Sequence, residues 1–87
     1  MGEYKLEFAR GWEGYFEKLD RSMQERVWRK IQQLKTTTYA RHLKKGLPFY
    51  VSEIGQYRPC YTIDEKKKIK VVYFVGDHKE YEKWLGL

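Results

Sequence analysis

Apolar and polar residues alternate from the fourth position, Tyr4, Leu6 and Phe8 against Lys5 and Glu7. That is the period-two signature of a half-buried strand. From Ala9 to Leu19 the spacing changes to three and four, with Trp12, Tyr15, Phe16 and Leu19 on one helical face. Gly11 and Gly14 each weaken this helix by about 1 kcal/mol relative to Ala, so packing has to hold it. Asp20 and Ser22 both suit an N-cap, and Ser22 with Glu25 has capping-box spacing. Met23, Val27, Ile31 and Leu34 then form a continuous stripe, Trp28 stands off it, and the β-branched run Thr36-Thr37-Thr38 ends it.

The second half reads differently. Tyr39 to Pro48 is polar and basic and reads as a loop. Phe49 to Ile54, Tyr57 to Ile63 and Ile69 to Val75 read as three strands joined by short turns, hence an antiparallel meander. The last is apolar on nearly both faces, as an interior strand should be. Asp77 can cap a final short helix, His78 to Leu85, with Tyr81, Trp84 and Leu85 against the sheet. The expected order is β-α-α-β-β-β with a C-terminal helix, an α+β fold of about four strands on a helical hairpin.

Pairing Ile63 with Ile69 across the turn assigns the faces. Tyr57, Pro59, Tyr61, Ile63, Ile69, Val71, Tyr73 and Val75 fall on the face under the helices. Arg58, Cys60, Thr62, Lys70, Val72 and Phe74 fall on the other, with Glu53 opposite Arg58. Pro59 cannot donate to the ladder, so a bulge or an unpaired position is expected there.

With 87 residues the chain is expected to be a single domain spanning 1–87. Its 41% hydrophobic and 17% aromatic content argues for a folded core built from rings rather than for disorder. A net charge of +6 fits either a polyanionic partner such as nucleic acid or an acidic protein segment, or a solvated basic surface. Cys60 is the one cysteine, which excludes an internal disulfide and fits a reducing compartment. No apolar run approaches the roughly 20 residues of a membrane span, and no signal core opens the chain, so the cytoplasm is the expected location. Walker, Rossmann and zinc patterns are absent, and His42, His78 and Cys60 do not make a zinc site. No metal or cofactor is expected.

Arg58, Glu53 and His78 are the constellation with chemical promise. Cleaving RNA without a metal takes a base for the 2′-hydroxyl proton, an acid for the leaving 5′-oxygen and a fixed cation on the phosphoryl oxygens. Glu53 fits the base, His78 the acid, and the planar fork of Arg58 the phosphate clamp. Glu53 and Arg58 equally fit a simple cross-strand ion pair. Tyr81 fits a base-stacking or phosphate-binding role, or core packing. Arg41, Lys44 and Lys45 form a loop cluster suited to a nucleic-acid backbone, and Lys70 and Lys79 are further candidates for it. The run Lys66-Lys67-Lys68 reads as a solvated hairpin tip. Trp28, off its helix stripe, reads as a ring exposed to a partner.

Arg41-His42-Leu43-Lys44-Lys45-Gly46-Leu47-Pro48, then Gly55-Gln56-Tyr57-Arg58, then Phe74-Val75-Gly76-Asp77-His78-Lys79-Glu80-Tyr81, resembles the RelE/ParE superfamily of toxin-antitoxin toxins in order and spacing. The resemblance covers nearly the whole chain. It implies a curved antiparallel sheet on a helical hairpin and a metal-independent mRNA interferase acting on the ribosome and leaving a 2′,3′-cyclic phosphate. It also implies an acidic, partly helical antitoxin as partner, and a free toxin that is monomeric. The family's strand arginine falls on Arg58, its C-terminal catalytic residue on His78, its tyrosine on Tyr81 and its basic loop on Lys44 and Lys45. One departure stands out: Val51 and Glu53 occupy the strand where several RelE members carry lysines. The ParE-like alternative is a non-enzymatic poison of DNA gyrase, and an inactive domain of the same fold is a third reading.

Overall fold

The computed structural model describes residues 3–36, 41–42 and 49–86. Among these residues eight elements follow one another: β1 (Lys5–Phe8), α1 (Trp12–Glu17), α2 (Arg21–Gln33), β2 (Arg41–His42), β3 (Tyr50–Val51), β4 (Tyr57–Asp64), β5 (Ile69–Asp77) and α3 (His78–Leu85). The sheet runs in the order β1-β5-β4-β3-β2. The expected α+β fold is the one found, with two refinements. β1 joins β5 in parallel, so the sheet is mixed. Arg41–His42, read as loop, adds a two-residue strand at the far edge.

The helical hairpin is held by polar groups at its corner. Gly11 takes φ 92° ahead of α1, a left-handed conformation natural to glycine, and shortens the helix expected from Ala9. Of the two candidate caps for α2 the structure uses Asp20, whose carboxylate accepts the Met23 amide at 2.8 Å. Gln24 then donates its side-chain amide to the carbonyls of Phe16 and Leu19, both at 3.1 Å, which ties α2 back to the end of α1.

Two cores lie on opposite faces of the sheet. Val27, Ile31 and Leu34 of α2 pack with Trp12, Leu19, Ile54, Tyr61, Val72 and Val75. Across the sheet, Val51, Cys60 and Phe74 meet Tyr81, Trp84 and Leu85 of α3. At about 25 cal/mol per Å² of apolar surface, the first and larger core carries most of the hydrophobic stabilisation.

The β4–β5 register corrects the expected faces. Asp64 pairs with Ile69 across a four-residue turn, so Ile63 pairs with Lys70, one residue beyond the expected partner. The ladder then shifts between Cys60 and Tyr61, leaving Tyr73 without a partner on β4. Such a bulge was expected at Pro59, which instead pairs with Val75 one position away. The shift puts Val72 in the helix-side core and leaves Phe74 opposite Cys60 on the α3 side.

Lys70 follows Val72 to the helix side. It is 1% exposed, and its ammonium donates to the Leu34 carbonyl at 2.8 Å, where the C-terminal dipole of α2 favours a cation. Its Nζ lies 4.3 Å from the centroid of the Tyr4 ring, whose hydroxyl donates to Glu65 at 2.8 Å. Burial pulls the Lys70 ammonium below the usual lysine range, and Glu65 opposes the shift.

Candidate functional site

The turn between β3 and β4 sets the site. Ile54 and Tyr57 exchange both backbone hydrogen bonds at 2.9 Å around Gly55-Gln56. Gly55 has φ 58° at the first central position, as a two-residue hairpin turn of this kind requires. This closure places Glu53 across from Arg58, and their side chains meet at 3.4 Å. Both remain partly open to solvent, at 27% for Arg58 and 44% for Glu53.

The other end of the site comes from β5 and α3. Arg58 pairs with Gly76, whose missing Cβ leaves room for its neighbours: an added Cβ would come within 2.6 Å of Phe74 Cζ and 3.0 Å of Glu80 Cβ. Asp77 accepts the Glu80 amide at 2.9 Å while Glu80 accepts the Asp77 amide at 3.1 Å, a full capping box. The helix therefore starts at His78 and brings Tyr81 inward one turn later. The Arg58 guanidinium lies 5.2 Å from the Tyr81 ring centroid, and the His78 ring lies 5.7 Å from the same ring.

Glu53, Arg58, Tyr81 and His78 thus form one row along the end of the sheet, three of them polar and partly exposed, with Tyr81 8% exposed between them. Of the roles left open from sequence, Tyr81 takes the packing one, lying in the α3-side core, and it also carries Arg58 on its face. The row has a further member that sequence reasoning missed: Glu82 meets His78 Nε2 at 3.3 Å. The signal was present as a His and a Glu four apart on one helix, neighbours on its surface.

The other candidates are placed as follows. Lys79 is exposed in the first turn of α3 beside His78. Arg41 lies on β2 opposite Val51. Lys44 and Lys45 fall outside the described residues. Lys70 is buried beneath α2 at the far end of β5, so it cannot meet a solvent-borne RNA; its assignment to the polar face came from the register the structure corrects. Cys60 is fully buried, and burial pushes its thiol up to about 12, so it offers no nucleophile at neutral pH. Among the described residues no three His, Cys, Asp or Glu side chains gather as a metal site would need. No described helix is long and apolar enough to cross a membrane.

Arranged in this way, the row can hold an anion and move a proton. Arg58 is oriented from two sides, by the Glu53 carboxylate and by the Tyr81 face, while part of its fork stays in water. His78, 59% exposed, is held by Glu82 within reach of a ligand lying across Tyr81.

No family model matches the chain, and no curated protein sequence does. Solved structures do. The RelBE2 toxin-antitoxin complex of Mycobacterium tuberculosis matches with a TM-score of 0.78 at 20% identity, over 90% of this chain and 94% of that one. The isolated RelE toxin of E. coli matches with a TM-score of 0.71 at 20% identity, over 95% of this chain and 96% of that one. The RelB-RelE antitoxin-toxin complex of Methanococcus jannaschii matches at 0.71 and 13%, over 90% and 96%. The chain has the fold of the RelE toxins.

Proposed function

We propose that this chain is the toxin of a toxin-antitoxin pair, and that it is an endoribonuclease cutting mRNA on the ribosome. The observation that carries the reading is the row Glu53, Arg58, Tyr81 and His78 on a RelE fold. A base, a fixed cation, an aromatic face and an imidazole are the parts that phosphodiester transesterification uses. Glu53 takes the proton of the 2′-hydroxyl as that oxygen bonds to phosphorus. Arg58 holds the non-bridging oxygens while their charge grows. The bond from phosphorus to the 5′-oxygen breaks, and the His78 imidazolium gives that oxygen its proton. The products are a 2′,3′-cyclic phosphate and a 5′-hydroxyl, with no metal required.

Tyr81 stacks a base or holds it against the row, Glu82 orients the His78 ring, and Lys79, Arg41, Lys44 and Lys45 meet the RNA backbone. An acidic, partly helical antitoxin segment is the silencing partner, the free toxin is monomeric and the pair acts in the cytoplasm. Primer extension on a reporter mRNA, after expression of the wild type, Arg58→Ala and His78→Ala, tests the reading. New ends inside translated codons, absent in both variants, are expected. Growth arrest without new ends would point to a DNA gyrase poison of the ParE kind instead.

A further inference from the structure

Outside the row, a cluster of cations without ion-pair partners among the described residues lies on α2. Arg26 stands three and four residues before Arg29 and Lys30, and Gln33 four and three after them, so the four share one side of the helix. They form one wall of a cleft of about 370 Å³ whose other wall is the turn Glu53 to Gly55. Arg26 and Arg29 are exposed and Lys30 is half-buried, and among the described residues none of the three has an ion-pair partner. Like charges at these spacings raise the energy of the helix on its own. An anion seated in the cleft removes that cost.

The cleft is continuous with the row. Glu53 lines it and also pairs with Arg58 at 3.4 Å. Gly55 adds no side chain between them, and even a Cβ there would stand 3.9 Å from the Arg26 guanidinium. To reach Arg26 from Arg58, a strand would round the β3–β4 turn from the α3 side of the sheet to the α2 side, past Glu53 and Gly55.

We infer that Arg26, Arg29 and Lys30 form a second phosphate-backbone site, which takes the single-stranded RNA substrate where it leaves the Arg58 row. The inference rests on the nuclease reading above and names where the flanking nucleotides go. RNA fits better than an acidic peptide because Ile54 is the only apolar residue in the cleft wall. A peptide needs apolar area to bind tightly, whereas a polynucleotide gains its affinity from counterion release onto fixed cations.

The test uses the full chain silenced by His78→Ala, with and without the triple change Arg26→Gln, Arg29→Gln and Lys30→Gln. Glutamine keeps the helix propensity, and circular dichroism with a thermal melt checks that the fold is intact. Anisotropy measures binding to a fluorescent 15-nucleotide single-stranded RNA and to a trinucleotide across a salt series. For the longer RNA, the slope of log affinity against log salt should flatten by about 2 in the triple variant, at roughly 0.7 per lost phosphate contact. Trinucleotide binding should not change. An unchanged slope for the longer RNA, with Arg58→Ala still weakening it, would overturn the inference and leave the nuclease reading standing. A loss of ribosome binding alone, with free RNA unaffected, would assign the stripe to ribosomal RNA and overturn it too. A loss of antitoxin binding alone would make it a protein contact. If the silenced parent binds no RNA and the wild type cuts none, the nuclease reading itself falls.

Discussion

Lys70 and Arg58 lie towards opposite ends of the β4–β5 ladder, paired with Ile63 and Gly76 respectively, and each sets its charge near a tyrosine ring. Their surroundings differ in what is left over. Lys70 is closed in by Tyr4, Tyr61 and the end of α2, and its ammonium donates to the Leu34 carbonyl. Arg58 has a carboxylate on one side, a ring on another and water on the rest. A cation that is fully satisfied holds a fold together. A cation that is oriented but incompletely used can hold something else.

The sharpest way to break this contrast is to remove each charge in turn. Lys70→Ala leaves a buried carbonyl without its donor and a cavity beside two rings, at a cost of about 2–4 kcal/mol in urea unfolding. Arg58→Ala should cost under about 1 kcal/mol, because the half-exposed Glu53 carboxylate can turn to water. Cleavage should show the reverse order, falling about 100-fold or more with Arg58→Ala. Equal destabilisation by the two changes would erase the distinction.

Gly76→Ala sharpens the comparison from the side of α3. The new Cβ must push the Phe74 ring and the first turn of α3, which carries His78 and Tyr81. A loss of about 1–3 kcal/mol is expected, measured by thermal melting. Near-ultraviolet circular dichroism should report the displaced rings of Tyr81 and Trp84. An unperturbed spectrum would show that α3 is not positioned through Gly76.

A smaller effect belongs to the Lys70 end. The Tyr4 hydroxyl, and then Lys68, hold the Glu65 carboxyl below its usual value. A depressed carboxyl contributes stability that is present above its unfolded pKa and lost as pH falls through the folded one. Wild type should therefore lose slightly more stability than Glu65→Gln between neutral pH and about pH 3. Parallel curves from denaturant melts would remove the contact from the account.

Much of this was legible from the chain. Period two and period 3.6 locate β1, α2, β4, β5 and α3, and the two-residue turn at Gly55-Gln56 makes the Glu53–Arg58 pair readable from the sequence. The far end of the same hairpin was not legible. A four-residue turn and an unpaired Tyr73 move the register, and a single step sends Lys70 and Val72 to the opposite face. The parallel pairing of β1 with β5 joins segments more than sixty residues apart, which no local pattern encodes. Lys70 reads as exposed because a lone lysine in an otherwise apolar strand usually turns its ammonium to water. Its burial depends on the Leu34 carbonyl, the Tyr4 ring and the α2 dipole meeting at one point. The α2 cation stripe was visible as residues but not as a site, since only the folded turn at Gly55 gives it a second wall.

In the proposed reaction, Glu53, Arg58 and His78 cut RNA by attack of its own 2′-hydroxyl. The most direct measurement is the chemistry of the new 3′ end, read by mass spectrometry on a short message cut by the purified protein on programmed ribosomes. The account predicts a 2′,3′-cyclic phosphate from the wild type and no product from His78→Ala. A free 3′-hydroxyl would mean that water, not the ribose, attacks phosphorus, and would contradict it.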